Sequence, residues 1–313
     1  VAGSIKSDFG TVLHQNMIKA TRRLFMTATP RYFTGRTIRA ARESDDEIAS
    51  MDDRSKFGVV FHRLGFGEAI EQELLTDYRV VIVDVDDATY LDWAERGHLV
   101  KLNGERTDAR SLAGQIGLAK SMRKYDLRRV ISFHSRVKTA KGFADAMPAV
   151  LDWMPAQDRP DGKLWSKHAS GAMSAGERHV LLEHLKKLDG GDRALLANAR
   201  CLAEGVDVPA LDGVAFIDPR RSEVDIIQAV GRAIRRSDTK TVGTIIIPIF
   251  IGSTEDPEAA LDDSAFKPVW DVVRALRAHD DQLGRQLDDL RQELGHLQRG
   301  RLKLPSKIHH DLS

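Results

Sequence analysis

The stretch QAVGRAIRR, residues 228–236, combines three arginines with a helical pattern of apolar residues. Arg232 and Arg235 are three positions apart, so a helix would place them on one face. A guanidinium group is planar, permanently charged and able to bind a phosphate through two hydrogen bonds. No acidic residue lies within the stretch. These arginines could bind a phosphate group; alternatively, they could complement the dipole at a helix C-terminus, which suits Arg236 better than Arg232.

Two further stretches combine apolar residues with small or polar ones. RRLFMTATP, residues 22–30, predicts a short apolar strand that runs into a Thr-Ala-Thr triplet and stops at a proline. EGVDVP, residues 204–209, has the pattern of a strand end, with a glycine that would permit close backbone approach. Taken singly, each stretch is also compatible with an ordinary turn or strand end.

Alternating strand and helix patterns between residues 78 and 252 predict the framework for these stretches. Runs such as YRVVIVDV, RALLANA and GTIIIPIFI are typical of strands, and the segments between them have helical spacing. This alternation predicts an α/β fold in which a parallel sheet has helices on both faces. Ligands of such sheets bind at the carboxyl ends of strands, so we expect chemistry in the loops after Phe133, Ala197 and Ile217.

In this order and at these separations, the motifs resemble the later motifs of superfamily 2 helicases and translocases of the DEAD/DEAH type. In that family two RecA-like domains clamp ATP between them and move along nucleic acid. The triplet at 27–29 resembles the third motif, and ISFHSR at 131–136 resembles the fourth. NARCLAEGVDVP at 198–209 resembles the fifth motif, and QAVGRAIR at 228–235 resembles the sixth, Q-x-x-G-R-x-x-R. The resemblance implies that the sheet is RecA-like.

The resemblance also implies roles for individual residues. Arg232 and Arg235 would deliver positive charge to the γ-phosphate of ATP during phosphoryl transfer. The other residues expected at the nucleotide are Gln228, Gly231, Gly205 and Asp207. The residues expected to contact nucleic acid, or to couple that contact to ATP, are Thr27, Ala28, Thr29, Ser135, Arg136 and Arg200.

Structural explanations remain open for several of these residues. Asp207 could be a strand-end cap, and Ser135, Arg136 and Arg200 could be ordinary polar residues of the surface. Ala203 occupies the place where the fifth motif often carries a hydroxyl, so the sequence departs from the family at that contact.

The sequence lacks the G-x-x-x-x-G-K-[S/T] loop that cradles phosphates and seats Mg²⁺ in this family. The acids Asp84, Asp86 and Asp87 follow the Thr-Ala-Thr triplet, whereas the family's metal-binding Asp-Glu box precedes it. We therefore interpret them as strand-end and loop residues and expect no metal site in this chain. ATP and Mg²⁺ are expected to bind mainly to a first RecA-like domain upstream, and this chain alone is expected to hydrolyse essentially no ATP.

The resemblance divides the chain into four regions. They are the C-terminal tail of the first RecA-like domain at 1–36, an interdomain connector at 37–77, the second RecA-like helicase domain at 78–252 and a helical extension at 253–313. Apolar residues at heptad spacing from Phe266 onward, interrupted at Asp280, predict one long helix that packs on a neighbour. His309 and His310 are interpreted as part of a solvated tail.

Residues 50–81 also resemble the connector of large bacterial predicted helicases, which include the motors of single-polypeptide restriction-modification enzymes. Those motors translocate on double-stranded DNA and carry nuclease and methyltransferase domains elsewhere. This resemblance implies double-stranded DNA as a partner, together with such domains. Two alternatives stay open, namely an RNA helicase and a non-catalytic regulatory module that binds nucleic acid.

Composition excludes several other classes of protein. The formal net charge is +1, so any basic surface that binds nucleic acid must be local. The single cysteine, Cys201, excludes a disulfide framework and suits the reducing cytoplasm, where we expect the protein to reside. The longest apolar run, residues 244–252, is too short to span a bilayer, so no membrane partner is expected.

Overall fold

The computed structural model describes residues 3–4, 8–33, 35–43, 48–86, 101–102, 105–106, 109–188, 190–199, 211–218, 222–237, 240–251, 267–296 and 306–312. The chain forms two compact units, Val1–Leu64 and Gly65–Ser313. The elements of the first unit are β1 (Gly3–Ser4), a 3₁₀ helix (Asp8–Leu13), α1 (Gly35–Glu43), β2 (Ile48–Ala49) and α2 (Arg54–Phe57). Strands β1 and β2 pair in antiparallel fashion.

The strand predicted over residues 22–30 is not formed. These residues are described, none of them is in a strand, and the side chain of Met26 is 84% exposed. A strand needs a neighbour to satisfy its backbone donors and acceptors. Within the described part of the first unit, this stretch pairs with no strand, so its apolar pattern alone does not produce one.

The second unit is built from alternating strands and helices. In chain order these are α3 (Phe66–Glu71), β3 (Asp77–Asp86), β4 (Lys101–Leu102), β5 (Glu105–Arg106), α4 (Ala109–Lys124), β6 (Arg129–His134), α5 (Val137–Trp153), β7 (Leu164–Ser170), α6 (Ala175–Lys186), β8 (Arg193–Ala199), β9 (Gly213–Phe216), α7 (Glu223–Ala233), β10 (Val242–Ile251), α8 (Lys267–Arg277), α9 (Asp281–His296) and β11 (Ile308–Leu312). Strands β4 and β5 form a small separate hairpin.

Seven of these strands form one sheet in the order β11-β3-β10-β9-β6-β8-β7. Each pair of neighbouring strands runs parallel. The predicted α/β class with a RecA-like parallel sheet is therefore confirmed. The order places β9 at the centre, between β10 and β6, and leaves β11 and β7 as the two edges.

Successive residues of the strands pack into two different cores. Ile245 and Ile247 lie in one apolar cluster with α7 and α8, whereas Ile246 between them lies in another with α4 and α5. Because successive side chains of a strand point to opposite faces of a sheet, the two clusters are its two faces. Helices cover both faces, and this explains why the strands read as continuous apolar runs.

The C-terminal extension differs from its prediction in two respects. It contains two helices, α8 and α9, because the chain turns at residues 278–280 and Asp280 begins a new helix by accepting hydrogen bonds from the backbone N–H groups of Gln282 and Leu283. The tail that contains His309 is not a solvated end, because it forms β11 and pairs with β3. The extension is thus part of the second unit.

Candidate functional site

Helix α7 carries the arginine stretch, and both its N-terminus and its apolar face are stabilised. The Ser222 hydroxyl accepts a 3.4 Å hydrogen bond from the Asp225 backbone N–H, and Glu223 and Asp225 lie in the first turn. Both features favour a helix N-terminus. The buried residues of the helix are Ile226, Ile227, Ala229, Val230, Arg232 and Ala233.

The structure separates the two arginines that the sequence was expected to place on one helical face. Arg232 lies in the last turn of α7 with 7% of its surface exposed. Arg235 lies beyond the end of the helix and pairs with Leu75 in an antiparallel bridge. The shared helical face is therefore a wrong prediction. Both arginines also interact with other residues of the chain.

Two further residues of α7, Gln228 and Gly231, were expected to lie at the nucleotide. Gln228 and Gly231 are both half-buried. A Cβ atom added at Gly231 would meet no atom within 4 Å. Nothing in the described part of this unit therefore requires a glycine there, and the close approach predicted for Gly231 would have to involve another molecule or domain.

The end of α7 lies beside the amino ends of two strands. A Cβ atom at Gly243, the second residue of β10, would lie 2.4 Å from the carbonyl oxygen of Ala233. Thr76, which precedes β3, bonds to the carbonyl oxygen of Ile234. Because α7 runs back from the carboxyl end of β9, its arginines lie at the opposite edge from the loops in which we expected the chemistry.

Lys240 joins the end of α7 to the chain segment that precedes β9. Its Nζ atom donates to the carbonyl oxygens of Ala233 at 2.7 Å and Leu211 at 2.8 Å. Burial lowers the pKa of Lys240 to about 8, although the nearby carboxylate of Asp212 opposes this effect. A cation at this position also complements the negative end of the helix dipole.

Ser135 lies at the carboxyl edge of the sheet, directly after β6. Its hydroxyl donates a short hydrogen bond to the carboxylate of Asp218, which follows β9. Arg136, the next residue, is exposed at the N-terminus of α5. An exposed arginine at a helix N-terminus suits an anionic backbone, whereas Asp218 would repel one.

Two buried histidine contacts lie beneath these residues. The Nε2 atom of His134 is 2.9 Å from the Ser132 hydroxyl oxygen, and its ring packs 4.9 Å from the ring of Phe143. Burial lowers the pKa of His134 to about 4, with Asp218 opposing the effect. His134 is therefore neutral near pH 7, and its contacts with Ser132 and Phe143 are structural.

The Thr-Ala-Thr triplet lies in the first unit. The backbone N–H of Thr29 donates a 3.1 Å hydrogen bond to the hydroxyl of Thr27. Thr27 and Ala28 are exposed, and Thr29 is half-buried. The threonine thus closes a local turn on its own backbone, which is a common use of a hydroxyl in such a position.

Several predictions fall outside the described residues. These are the roles of Arg200, Gly205 and Asp207, the departure at Ala203 and the loop position of Asp87. Asp84 and Asp86 belong to the end of β3, as predicted. Within the ranges that the structure describes, no group of three His, Cys, Asp or Glu residues could hold a metal ion.

Sequence reasoning missed three residues that shape these sites, namely Thr76, Asp218 and Lys240. Thr76 and Lys240 are distant from each other in sequence, and only the fold brings both to the end of α7. Asp218 had a usable signal, because it follows a buried strand at the edge of the sheet where ligands bind.

Comparison with known proteins identifies similar sequences and structures. Residues 117–237 match the model of the family described as the helicase conserved C-terminal domain. Residues 117–237 of this chain are therefore similar to a helicase C-terminal domain. The matched residues include the candidate groups at both edges of the sheet, namely Ser135 and Arg136 at one edge and Arg232 and Arg235 at the other. The predicted relationship to superfamily 2 helicases is confirmed.

Solved structures resemble a larger part of the chain. The ATP-dependent Type ISP restriction-modification enzyme LlaBIII bound to DNA is 30% identical with a TM-score of 0.77, covering 97% of this chain and 20% of that one. A nuclease-deletion mutant of the Type ISP enzyme LlaGI, in complex with a DNA substrate mimic, is 24% identical with a TM-score of 0.55. It covers 98% of this chain and 17% of that one, and shows the fold alone.

Sequence relatives carry a helicase name as well. Probable helicase A859L of African swine fever virus is 28% identical over 238 residues, which are 75% of this chain and 23% of the viral protein. The chain therefore spans about a fifth to a quarter of the length of these relatives. Among the described helices, none combines the length and the apolar character needed to cross a membrane.

Proposed function

We propose that this chain is the C-terminal motor half of an ATP-dependent DNA helicase or translocase, and that the intact protein is of the restriction-modification type. The observation that carries the proposal is the likeness to LlaBIII, which extends over 97% of the chain at 30% identity. That likeness includes residues far outside the matched family segment of 117–237. DNA is the proposed substrate because LlaBIII was solved bound to DNA, and the resemblance of residues 50–81 to restriction-modification motors implies that this DNA is double-stranded.

In this proposal, Arg232 and Arg235 act on the γ-phosphate of ATP. Phosphoryl transfer needs little covalent help from a protein, and preorganised positive charge lowers its barrier most effectively. Gln228, Gly231, Gly205 and Asp207 would surround the nucleotide. A first RecA-like domain upstream would hold Mg²⁺ and the β-phosphate, because the sequence lacks the G-x-x-x-x-G-K-[S/T] loop that binds them in this family.

Nucleic acid would contact the carboxyl edge of the sheet. Arg136 and Arg200 would bind phosphates, with Ser135 as a hydroxyl donor. The triplet from Thr27 to Thr29 would couple that grip to the state of ATP. The intact protein would be cytoplasmic, and nuclease and methyltransferase domains would lie elsewhere in it.

ATP hydrolysis by the intact protein tests this proposal. Duplex DNA should stimulate turnover, and RNA should not. An Arg235→Ala variant should lower kcat by about 1,000-fold, because an arginine at the γ-phosphate contributes on that order. Arg277→Ala is the matched control: Arg277 is exposed on α8, pairs with Asp288 and should have little effect. Stimulation by RNA alone would favour an RNA motor.

A regulatory module without catalysis predicts a different set of results. Such a module would bind DNA with a steep dependence on salt and show no effect of nucleotide. This chain by itself is proposed to hydrolyse essentially no ATP. Turnover by the pure chain that disappears in an Arg232→Ala variant would overturn that statement.

A further inference from the structure

The carbonyl oxygen of Ile234, directly before Arg235, accepts two hydrogen bonds from one residue. The backbone N–H of Thr76 donates at 2.9 Å, and the Thr76 hydroxyl donates at 3.0 Å. Thr76 is 9% exposed, so water competes little for these bonds. Carbonyl groups at a helix C-terminus have no partner within the helix. Thr76 therefore fixes the peptide group that joins Ile234 to Arg235.

The residues around Thr76 extend this contact along the chain. Leu75 pairs with Arg235 in an antiparallel bridge. The guanidinium group of Arg236 donates to the carbonyl oxygen of Glu73 at 2.5 Å. Residues 73–76 thus run beside residues 234–236 and hold the backbone on both sides of Arg235.

Lys240 fixes the preceding carbonyl from the other direction. Its Nζ atom bonds to Ala233 and Leu211, and 8% of the residue is exposed. The close approach of Gly243 to Ala233 leaves the end of the helix no room to shift toward β10. Two consecutive carbonyl groups before Arg235 are therefore held by side chains from two different segments.

We propose that Thr76 and Lys240 are positioning residues that set the place of Arg235 for ATP hydrolysis. Neither residue needs to touch the nucleotide. A long arginine side chain can adopt many rotamers, so its reach is reproducible only when its Cα atom is fixed. This inference rests on the proposed function, because it assumes that Arg235 acts on ATP.

The test compares single substitutions in the intact protein. Thr76→Val keeps the size of the side chain and removes its hydroxyl, Thr76→Ser keeps the hydroxyl, and Lys240→Met keeps most of the length and removes the charge. Thr244→Val is the matched control, since Thr244 is fully buried in β10 and its hydroxyl makes no hydrogen bond within the described ranges.

We expect Thr76→Val and Lys240→Met each to lower kcat for ATP hydrolysis by about 10-fold, because small misplacements of a catalytic group are costly. The KM for ATP should stay within about two-fold, since the lost interaction matters mainly in the transition state. Thr76→Ser should restore kcat, and Thr244→Val should leave both constants unchanged. The fold decrease in kcat of a double variant should be smaller than the product of the two single fold decreases, because both residues act on one group.

Several outcomes would overturn the inference. One is equal kcat values for Thr76→Val and Thr244→Val. Another is a rise in KM alone, which would indicate lost binding of ATP in the ground state. A third is loss of folding in Thr76→Val, which would indicate a role in general stability. Arg235→Ala separates this failure from failure of the proposed function. If Arg235→Ala leaves ATP hydrolysis intact, the proposed function fails; if only Arg235→Ala is impaired, the positioning role fails.

Discussion

The hydroxyl group of Tyr78 donates a 2.7 Å hydrogen bond to the buried carboxylate of Asp280, 202 residues later in the chain. The same carboxylate lies 3.2 Å from the Nζ atom of Lys307, which in turn lies 2.9 Å from Asp77. Asp280 is fully buried, so every one of these donors offsets the cost of removing its charge from water. This cluster joins the start of β3 to the C-terminal extension.

Asp280→Ala should destabilise the extension by about 3 kcal/mol, because it leaves the Lys307 ammonium and the Tyr78 hydroxyl buried without their shared acceptor. Hydrogen exchange in the intact protein measures this as lost amide protection in β11 and α9. Asp288→Ala removes a carboxylate 2.6 Å from Arg277 on the surface and should cost less than about 1 kcal/mol. Equal losses of stability in the two variants would show that the buried cluster stabilises the extension no more than the surface ion pair does.

Gly231→Ala should stabilise the second unit by about 0.5 to 1 kcal/mol, because alanine favours a helix and its Cβ atom would meet nothing within 4 Å. The same variant should slow ATP hydrolysis by the intact protein if Gly231 faces the nucleotide. Gly142→Ala in α5 is matched, since its Cβ atom also meets nothing within 4 Å, and it should change stability alone. Unchanged hydrolysis in Gly231→Ala would remove Gly231 from the nucleotide site.

The stability of the second unit should fall as pH drops from about 6.5 toward 4. Burial lowers the pKa of His134 from 6.5 to about 4, so between these values the unfolded chain binds a proton that the folded chain excludes. The contribution of His134 to the free energy of unfolding is fully present above the pKa of the unfolded chain. It decreases by roughly 3 kcal/mol in all as the pH falls to the pKa of the folded chain.

Urea unfolding across this pH range measures the effect, and the cleavage of the second unit by a protease reports how much of it is unfolded. His134→Gln should flatten the dependence on pH, whereas His309→Gln at an exposed position of β11 should preserve it. A slope that survives in His134→Gln would assign the acid sensitivity to other groups.

Asp218→Asn should tighten the binding of duplex DNA by about three- to ten-fold. Asp218 accepts the only hydroxyl proton of Ser135, so this proton cannot be donated to a phosphate, and its negative charge repels phosphate. The neutral amide of asparagine would weaken the hold on the proton and remove the repulsion. Fluorescence anisotropy at several salt concentrations gives the affinity. Asp271→Asn removes an acid that binds Arg274 on α8 and should change affinity little. Weaker binding in Asp218→Asn would instead indicate that the Asp218 contact with Ser135 organises the DNA site.

The buried strands could be predicted because most of their residues are apolar. RALLANA forms β8, in which all seven residues are buried. A short, mostly apolar run of this kind has few structural alternatives to a buried strand. β11 could not be predicted in this way. IHHDL is an edge strand that contains an exposed histidine, and only the position of β3 beside it makes it a strand.

The arginine site could be predicted by residue type but not by geometry. The spacing of Arg232 and Arg235 correctly indicated a helix for the first of them. It could not indicate that Thr76, more than 150 residues earlier, would donate a hydrogen bond to the carbonyl oxygen of Ile234 just beyond the helix end. Contacts between distant segments leave no periodic signal in either segment, so sequence patterns cannot reveal them.

The sheet order has a consequence for how this protein is made. β3 is the first strand of the large sheet to be synthesised, yet both of its neighbours, β10 and β11, come from much later in the chain. A ribosome adds about 5 to 20 residues per second, so the 158 residues that separate Thr76, just before β3, from Ile234, before β10, take roughly 8 to 32 s. During that interval both edges of an apolar strand lack partners on the nascent chain, and chaperones that bind such segments have time to act.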